Sequence, residues 1–168
     1  SARGSMLSTL ANNLKHEDGP IRLFEVGRVY IPRDNDLPDE QPVLSIVLAG
    51  PRWPRRWGLE PGKLDFYDLK GIIEALLERL GVRDCEFQPE TDPSLHPGKT
   101  AAVYAGGTRL GVLGEVHPMI AERFEIDTTA LLAEIELRAL ASVAQATSRI
   151  KPISRFPEVQ RDLAVLVD

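Results

Sequence analysis

The stretch TAAVYAGGTRLGVLGEV, from Thr100 to Val116, constrains the fold of this chain more than any other. Two apolar runs meet at Gly106-Gly107, and both glycines can take the positive φ that a tight hairpin turn demands. An antiparallel hairpin is therefore expected here. What surrounds it lacks the regular strand–helix alternation of a parallel sheet. Mixed hairpins and helices of this kind predict an α+β fold built on a mainly antiparallel sheet.

Met6, Leu7, Leu10 and Leu14 recur at helical spacing, and Asp18-Gly19-Pro20 stops that helix. Ile21–Ile31 is rich in β-branched and aromatic residues and reads as a strand. The proline- and acid-rich run PRDNDLPDEQP (32–42) reads as a solvated loop. It leads to VLSIVLAG (43–50), whose nearly continuous apolar character predicts a strand covered on both faces. PRWPRRWGLEPGK (51–63) is irregular. The clearest helix follows within DFYDLKGIIEALLERLG (65–81), where Leu69, Ile72, Ile73, Leu76, Leu77 and Leu80 form one stripe. Asp65 or Asp68 can cap its start and Gly81 suits its end. A short strand near Cys85–Phe87 precedes the hairpin. HPMIAERF reads as a short helix with Pro118 in its first turn, ALLAEIEL as a strand and RALASVAQA as a closing helix. SRIKPISRFPEVQ (148–160) looks like a linker, and RDLAVLVD (161–168) like one further strand, the entry to a second domain.

With 168 residues, 43% of them apolar, the chain can build a substantial core. Its formal charge of −5 argues against coating nucleic acid by charge alone, though a local basic patch remains compatible with it. A single cysteine, Cys85, excludes an internal disulfide framework and a thiolate-rich metal site, as suits a reducing cytosol. No apolar run approaches a membrane span and no signal peptide opens the sequence, so a cytoplasmic protein is expected. The first residue is Ser1, which suggests an excised fragment.

Four features invite a chemical reading. Gly98-Lys99-Thr100 has the ending of a phosphate-cradling loop, but Pro93 stands where that loop needs a glycine. Pro97 removes a second N–H donor, so the cradle fails. His16, His96 and His117 lack the spacing of a zinc pair on a helix, and a metal would need Glu115 or another carboxylate to join His96 and His117. No metal ligand, catalytic residue or cofactor-binding residue is assigned. PRWPRRWG interleaves Arg52, Arg55 and Arg56 with Trp53 and Trp57. That combination can grip nucleic acid by phosphate pairing and base stacking, or it can be an exposed loop pinned by its tryptophans. Asp65 and Asp68 could pose as a carboxylate pair, but they better suit the dipole and free N–H groups of a helix start. Residues alone point to a non-catalytic module.

Five stretches taken together carry a resemblance. RLFEVGRVY (22–30), DFYDLKGIIEALL (65–77), LHPGKTAAVY (95–104), GVLGEVHP (111–118) and PISRFPEVQRDLAVLVD (152–168) resemble, in order and spacing, the β subunit of bacterial phenylalanyl-tRNA synthetases. The resemblance implies a class II aminoacyl-tRNA synthetase-like core, an antiparallel sheet flanked by helices, over residues 1–147. Residues 148–168 would be a linker and the first strand of a ferredoxin-like anticodon-binding domain. It also implies a heterotetramer in which the α subunit uses ATP and magnesium to attach phenylalanine to its tRNA, while this copy of the fold serves assembly. Its implied partners are that α subunit and phenylalanine tRNA, with no membrane.

Class II sites hold ATP with arginines, whose rigid charged fork matches phosphate oxygens. In the catalytic subunit of the family an arginine follows the strand resembling GRVY, whereas Ile31 and Pro32 follow it here. Arg33 is a displaced candidate, better read as a loop arginine beside Asp34 and Asp36. The glycine-rich stretch carrying the second arginine corresponds to ALLAEIELRAL. Arg138 stands there without the glycines, among Glu134 and Glu136. Both losses predict that no adenylate forms on this chain. Lys99 is expected to face solvent. The family's magnesium site and its editing activity lie upstream, and its anticodon contacts lie in the domain that 152–168 begins. Met6, Leu10 and Leu14 are the expected contacts with the α subunit, and Arg52, Arg55 and Arg56 the candidate tRNA contacts. Two alternatives to the assembly module stand beside it. One is a small-molecule or nucleotide pocket kept for regulation, revealed by saturable ligand binding. The other is direct tRNA binding through Arg52–Trp57, revealed by salt-dependent affinity.

Overall fold

The computed structural model describes residues 2–34, 36–145 and 164. The linker and closing strand expected from 148 onward, and with them the ferredoxin-like element, lie outside the described residues apart from Ala164. Helix α1 (Ala2–Leu14) leads into strands β1 (Ile21–Arg33) and β2 (Asp36–Ala49). Helix α2 (Phe66–Arg79), strands β3 (Cys85–Pro89), β4 (Leu95–Ala105) and β5 (Thr108–Val116), helix α3 (Pro118–Arg123), strand β6 (Ala130–Glu136) and helix α4 (Leu137–Val143) follow. The six strands form one sheet in the order β1-β2-β6-β5-β4-β3, and every neighbouring pair is antiparallel. The expected α+β fold with an antiparallel sheet is the fold observed.

Side chains alternate across a strand, so a central strand with both faces covered must be apolar throughout. β2 meets that requirement over Val43–Ala49 at every position but one, the fully buried Ser45. Leu44, Ile46 and Leu48 face a core shared with α2 and α4, whereas Val47 and Ala49 face a second core under α1. On α2, Leu69, Ile73 and Leu77 are fully buried, each contributing about 1.5–3 kcal/mol of apolar burial. Asp65 caps this helix by accepting from the Tyr67 and Asp68 N–H groups, and the Asp68 side chain accepts from the Asp65 N–H in return. Both aspartates therefore act, each on the other's backbone.

The hairpin expected at Gly106-Gly107 joins β4 to β5, with φ values of 55° and 77°. These positive angles match the right-handed twist of the flanking strands. β4 reaches back to Leu95, taking in LHPGK with its proline and glycine. An irregularity in register between Leu95 and Thr100 accommodates it.

The run 32–42 is not a loop, which corrects the sequence reading. β1 and β2 stay paired out to Arg33 and Asp36, well past Val43, where pairing with β6 begins. The result is a two-stranded ribbon projecting from the sheet. Its prolines disguise it. Pro38 and Pro42 share a parity with Glu40, whose carbonyl points away from β1 and accepts from Arg138. Residues of that parity have no ladder N–H to give towards β1, so proline is tolerated there.

Candidate functional site

The ribbon brings together the two arginines that the family resemblance singles out. Arg33 lies near its tip and Arg138 in the first turn of α4, yet both point at one carboxylate. Asp39 Oδ1 lies 3.3 Å from Arg33 Nη2 and 3.5 Å from Arg138 Nη1. Arg138 also donates through Nη2 to the Glu40 carbonyl at 2.7 Å. The Gln41 amide donates to Asp39 Oδ2 at 3.2 Å. That hydrogen bond, with the charges of Arg33 and Arg138, holds the Asp39 carboxyl below its ordinary range against the opposing effect of desolvation. Asp39 thus pairs from within the chain with both guanidinium groups, each of which stays more than half exposed. Nothing in the linear sequence marked it, because its partners come from three different elements.

A second cluster ties down α1. Arg3 donates through Nη1 to both carboxylate oxygens of Asp92 at 2.8 Å and through Nε to Glu134 at 3.1 Å. Burial works to lower the Arg3 pKa, but these two carboxylates outweigh it and hold the guanidinium above its ordinary value. Glu134, in the stretch expected to lack a nucleotide arginine's surroundings, is therefore a structural anchor. No local pattern signals this pairing across 131 residues.

Met6 and Leu10 are corrected as partner contacts. They are 3% and 0% exposed and fill the core between α1 and the sheet, with Leu14 partly buried against it. An uncovered apolar stripe lies instead on edge strand β1. Phe24, Val26 and Tyr30 share one strand parity and are 74%, 62% and 60% exposed.

Arg52 is also committed to the fold. It reaches Asp68 at 2.8 Å and Asp65 at 3.0 Å, clamping the 51–63 segment to the cap of α2. Desolvation opposes ionisation of Asp68, but the Arg52 hydrogen bond and the Asp65 backbone prevail and lower its pKa. Arg55 and Arg56 are exposed, and among the described residues neither makes an ion pair.

Lys99 faces solvent and pairs with Glu115 across the β4–β5 hairpin. Its neighbour Gly98 donates its N–H to His96 Nδ1, and His117 Nδ1 accepts from the Met119 N–H at the start of α3. Each ring nitrogen used in this way is engaged by backbone. His16 lies just past α1, far along the chain from either. Among the described residues, no group of three or more His, Cys, Asp or Glu side chains is placed to hold a metal ion.

Comparison with known proteins identifies the family and the fold. The family model described as the phenylalanyl tRNA synthetase beta chain CLM domain matches residues 1–137. The phenylalanine–tRNA ligase beta subunit of Clostridium acetobutylicum is 39% identical over 167 residues, covering 98% of this chain and 20% of that protein. Its counterpart in Geobacter sulfurreducens is 40% identical over 164 residues, with 96% and 20% covered. The chain thus spans about a fifth of the length of these curated relatives. Among solved structures, pyrrolysyl-tRNA synthetase from Desulfitobacterium hafniense superposes with a TM-score of 0.62 at 19% identity, over 83% of this chain and 47% of that one. The fold is therefore shared with a tRNA synthetase. With the family model spanning nearly all of the described residues, the chain belongs to the family of the phenylalanyl-tRNA synthetase beta chain CLM domain.

Proposed function

We propose that this chain is a non-catalytic core module of a phenylalanine–tRNA ligase, supporting an assembly of two α and two β subunits that attaches phenylalanine to its tRNA with ATP. The observation that carries this reading is the Asp39 contact with both Arg33 and Arg138. An ATP-activating site needs guanidinium groups free to meet phosphate oxygens. Here the two candidates are turned onto a carboxylate of their own chain, so the residues do not fit an adenylate-forming site. ATP and magnesium belong to the whole enzyme in this reading, and no residue of this chain holds either. Among the described residues no helix is long and apolar enough to cross a membrane, and the proposed setting is the cytoplasm.

With Met6 and Leu10 in the core, contact with the α subunit is assigned to the exposed β1 stripe of Phe24, Val26 and Tyr30. The alternative of a retained nucleotide pocket gains no support. An open groove of about 650 Å³ lies between Phe66, Tyr67, Phe87, Pro89 and Pro97. It sits at the β3–β4 side of the sheet, away from Arg33 and Arg138, and its lining lysine, Lys99, is paired with Glu115.

In the assembled ligase, Arg33→Ala with Arg138→Ala in the β subunit is expected to leave phenylalanine-dependent ATP–pyrophosphate exchange within about twofold of the unmodified rate. A loss of roughly tenfold or more, in a complex shown to be assembled, would place these arginines in the chemistry and overturn the reading.

A further inference from the structure

The 51–63 segment is a built excursion from the sheet. Pro51 bridges to Lys63, the Arg52 N–H donates to the Gly62 carbonyl at 3.3 Å, and the Trp53 N–H donates to the Pro61 carbonyl at 3.0 Å. Its two limbs run antiparallel to a tip at Arg56-Trp57-Gly58-Leu59, which a 3.2 Å bond from the Leu59 N–H to the Arg56 carbonyl closes. Gly58 takes φ 75° at the third position of this turn, where a side chain would be strained. Trp57, at the second position, projects outward and is fully exposed. The Arg52 clamp on Asp65 and Asp68 fixes the base of the excursion to α2.

A large indole left wholly in water contributes nothing to the core, so packing does not account for Trp57. Its surroundings are cationic. Within 51–63 the sequence places Arg52, Arg55, Arg56 and Lys63 against the single carboxylate Glu60, on a chain whose formal charge is −5. Arg52 is consumed by the clamp, which leaves Arg55 and Arg56 beside the indole.

We propose that this tip is an RNA contact: one unpaired base stacks on the Trp57 indole, and Arg55 and Arg56 pair with the flanking phosphates. An aromatic face stacks on any base, while guanidinium groups supply sequence-independent phosphate attraction. A four-residue tip offers one flat face, enough for a base but far short of the roughly 800 Å² per partner of a stable protein interface. The choice of RNA rests on the ligase reading above; the geometry of the tip does not.

The chain has two tryptophans, so Trp53→Phe leaves Trp57 as its one indole reporter. Fluorescence of this variant is titrated with a short oligouridylate and, separately, with phenylalanine tRNA. Saturable quenching by either at low salt is the expected result. Quenching by both assigns the site to any unpaired strand, and quenching by tRNA alone assigns it to that molecule's folded loops. Adding Arg55→Ala and Arg56→Ala should weaken binding at least tenfold. The slope of log affinity against log salt should flatten by about 1.4. Trp57→Ala, followed by anisotropy of labelled RNA, should weaken binding about tenfold. Silence towards both RNAs at low salt, or quenching indifferent to Arg55 and Arg56, overturns the proposal. So does quenching elicited by the α subunit instead. None of these readouts involves adenylate formation, so a silent tip leaves the ligase reading standing, and failure of that reading leaves an RNA-quenched tip intact.

Discussion

Gly111→Ala lowers the thermal midpoint of this chain by about 10 °C, corresponding to roughly 3 kcal/mol or more of lost stability. The cost is one of space. Gly111 pairs with Ile135 in the middle of the sheet, beside the register irregularity between Val103 and Tyr104. A Cβ added there would sit 2.1 Å from the Glu134 carbonyl oxygen and 2.9 Å from the Ile135 Cα. Both atoms are backbone of β6, so no side-chain rotation relieves the overlap. The strands must separate or shift, and β6 carries both the Glu134 anchor and the approach to Arg138. Circular dichroism melts of the two proteins measure the effect. An unchanged midpoint would mean that β5 and β6 lie further apart than described.

Leu10→Ala is the second large loss, about 3–4 kcal/mol, seen in the chain on its own. Leu10 is fully buried among Ile21, Val47, Leu132 and their neighbours, under a helix whose N-terminal end Arg3 fastens to Asp92 and Glu134. Removing its methyl groups forfeits their transfer energy and leaves a cavity that the latched helix cannot collapse to fill. Urea unfolding of the isolated chain gives the figure directly. A surface contact waiting for a partner would behave otherwise: the substitution would spare the isolated chain and weaken only the complex.

That contrast explains what the sequence could and could not convey. Helical periodicity in Met6–Leu14 identified an apolar face, but periodicity is silent on which molecule covers that face, and here it is this chain's own sheet. Local chemistry was readable wherever cause and effect lie within a few residues. The Gly106-Gly107 turn, the Asp65–Asp68 cap and the His117-Pro118 helix start are all of this kind. The ribbon at 32–42 escaped because Pro32, Pro38 and Pro42 are the usual signal for a loop, whereas Pro38 and Pro42 face away from β1 and Pro32 falls at a break in register. The Arg3 latch and the Asp39 contact join residues distant in sequence, so no spacing rule reports them. In the sequence Arg52 stands with Arg55 and Arg56 as a candidate tRNA contact, and only the folded geometry separates the clamp from the tip.

Calorimetric titration of the folded chain with ATP, alone and then with phenylalanine, tests most directly the claim that its adenylate chemistry is absent. With Arg33 and Arg138 paired to Asp39, no saturable heat is expected in either titration. Saturable binding in the micromolar range would mean that other residues have taken over the site, and it would contradict the account.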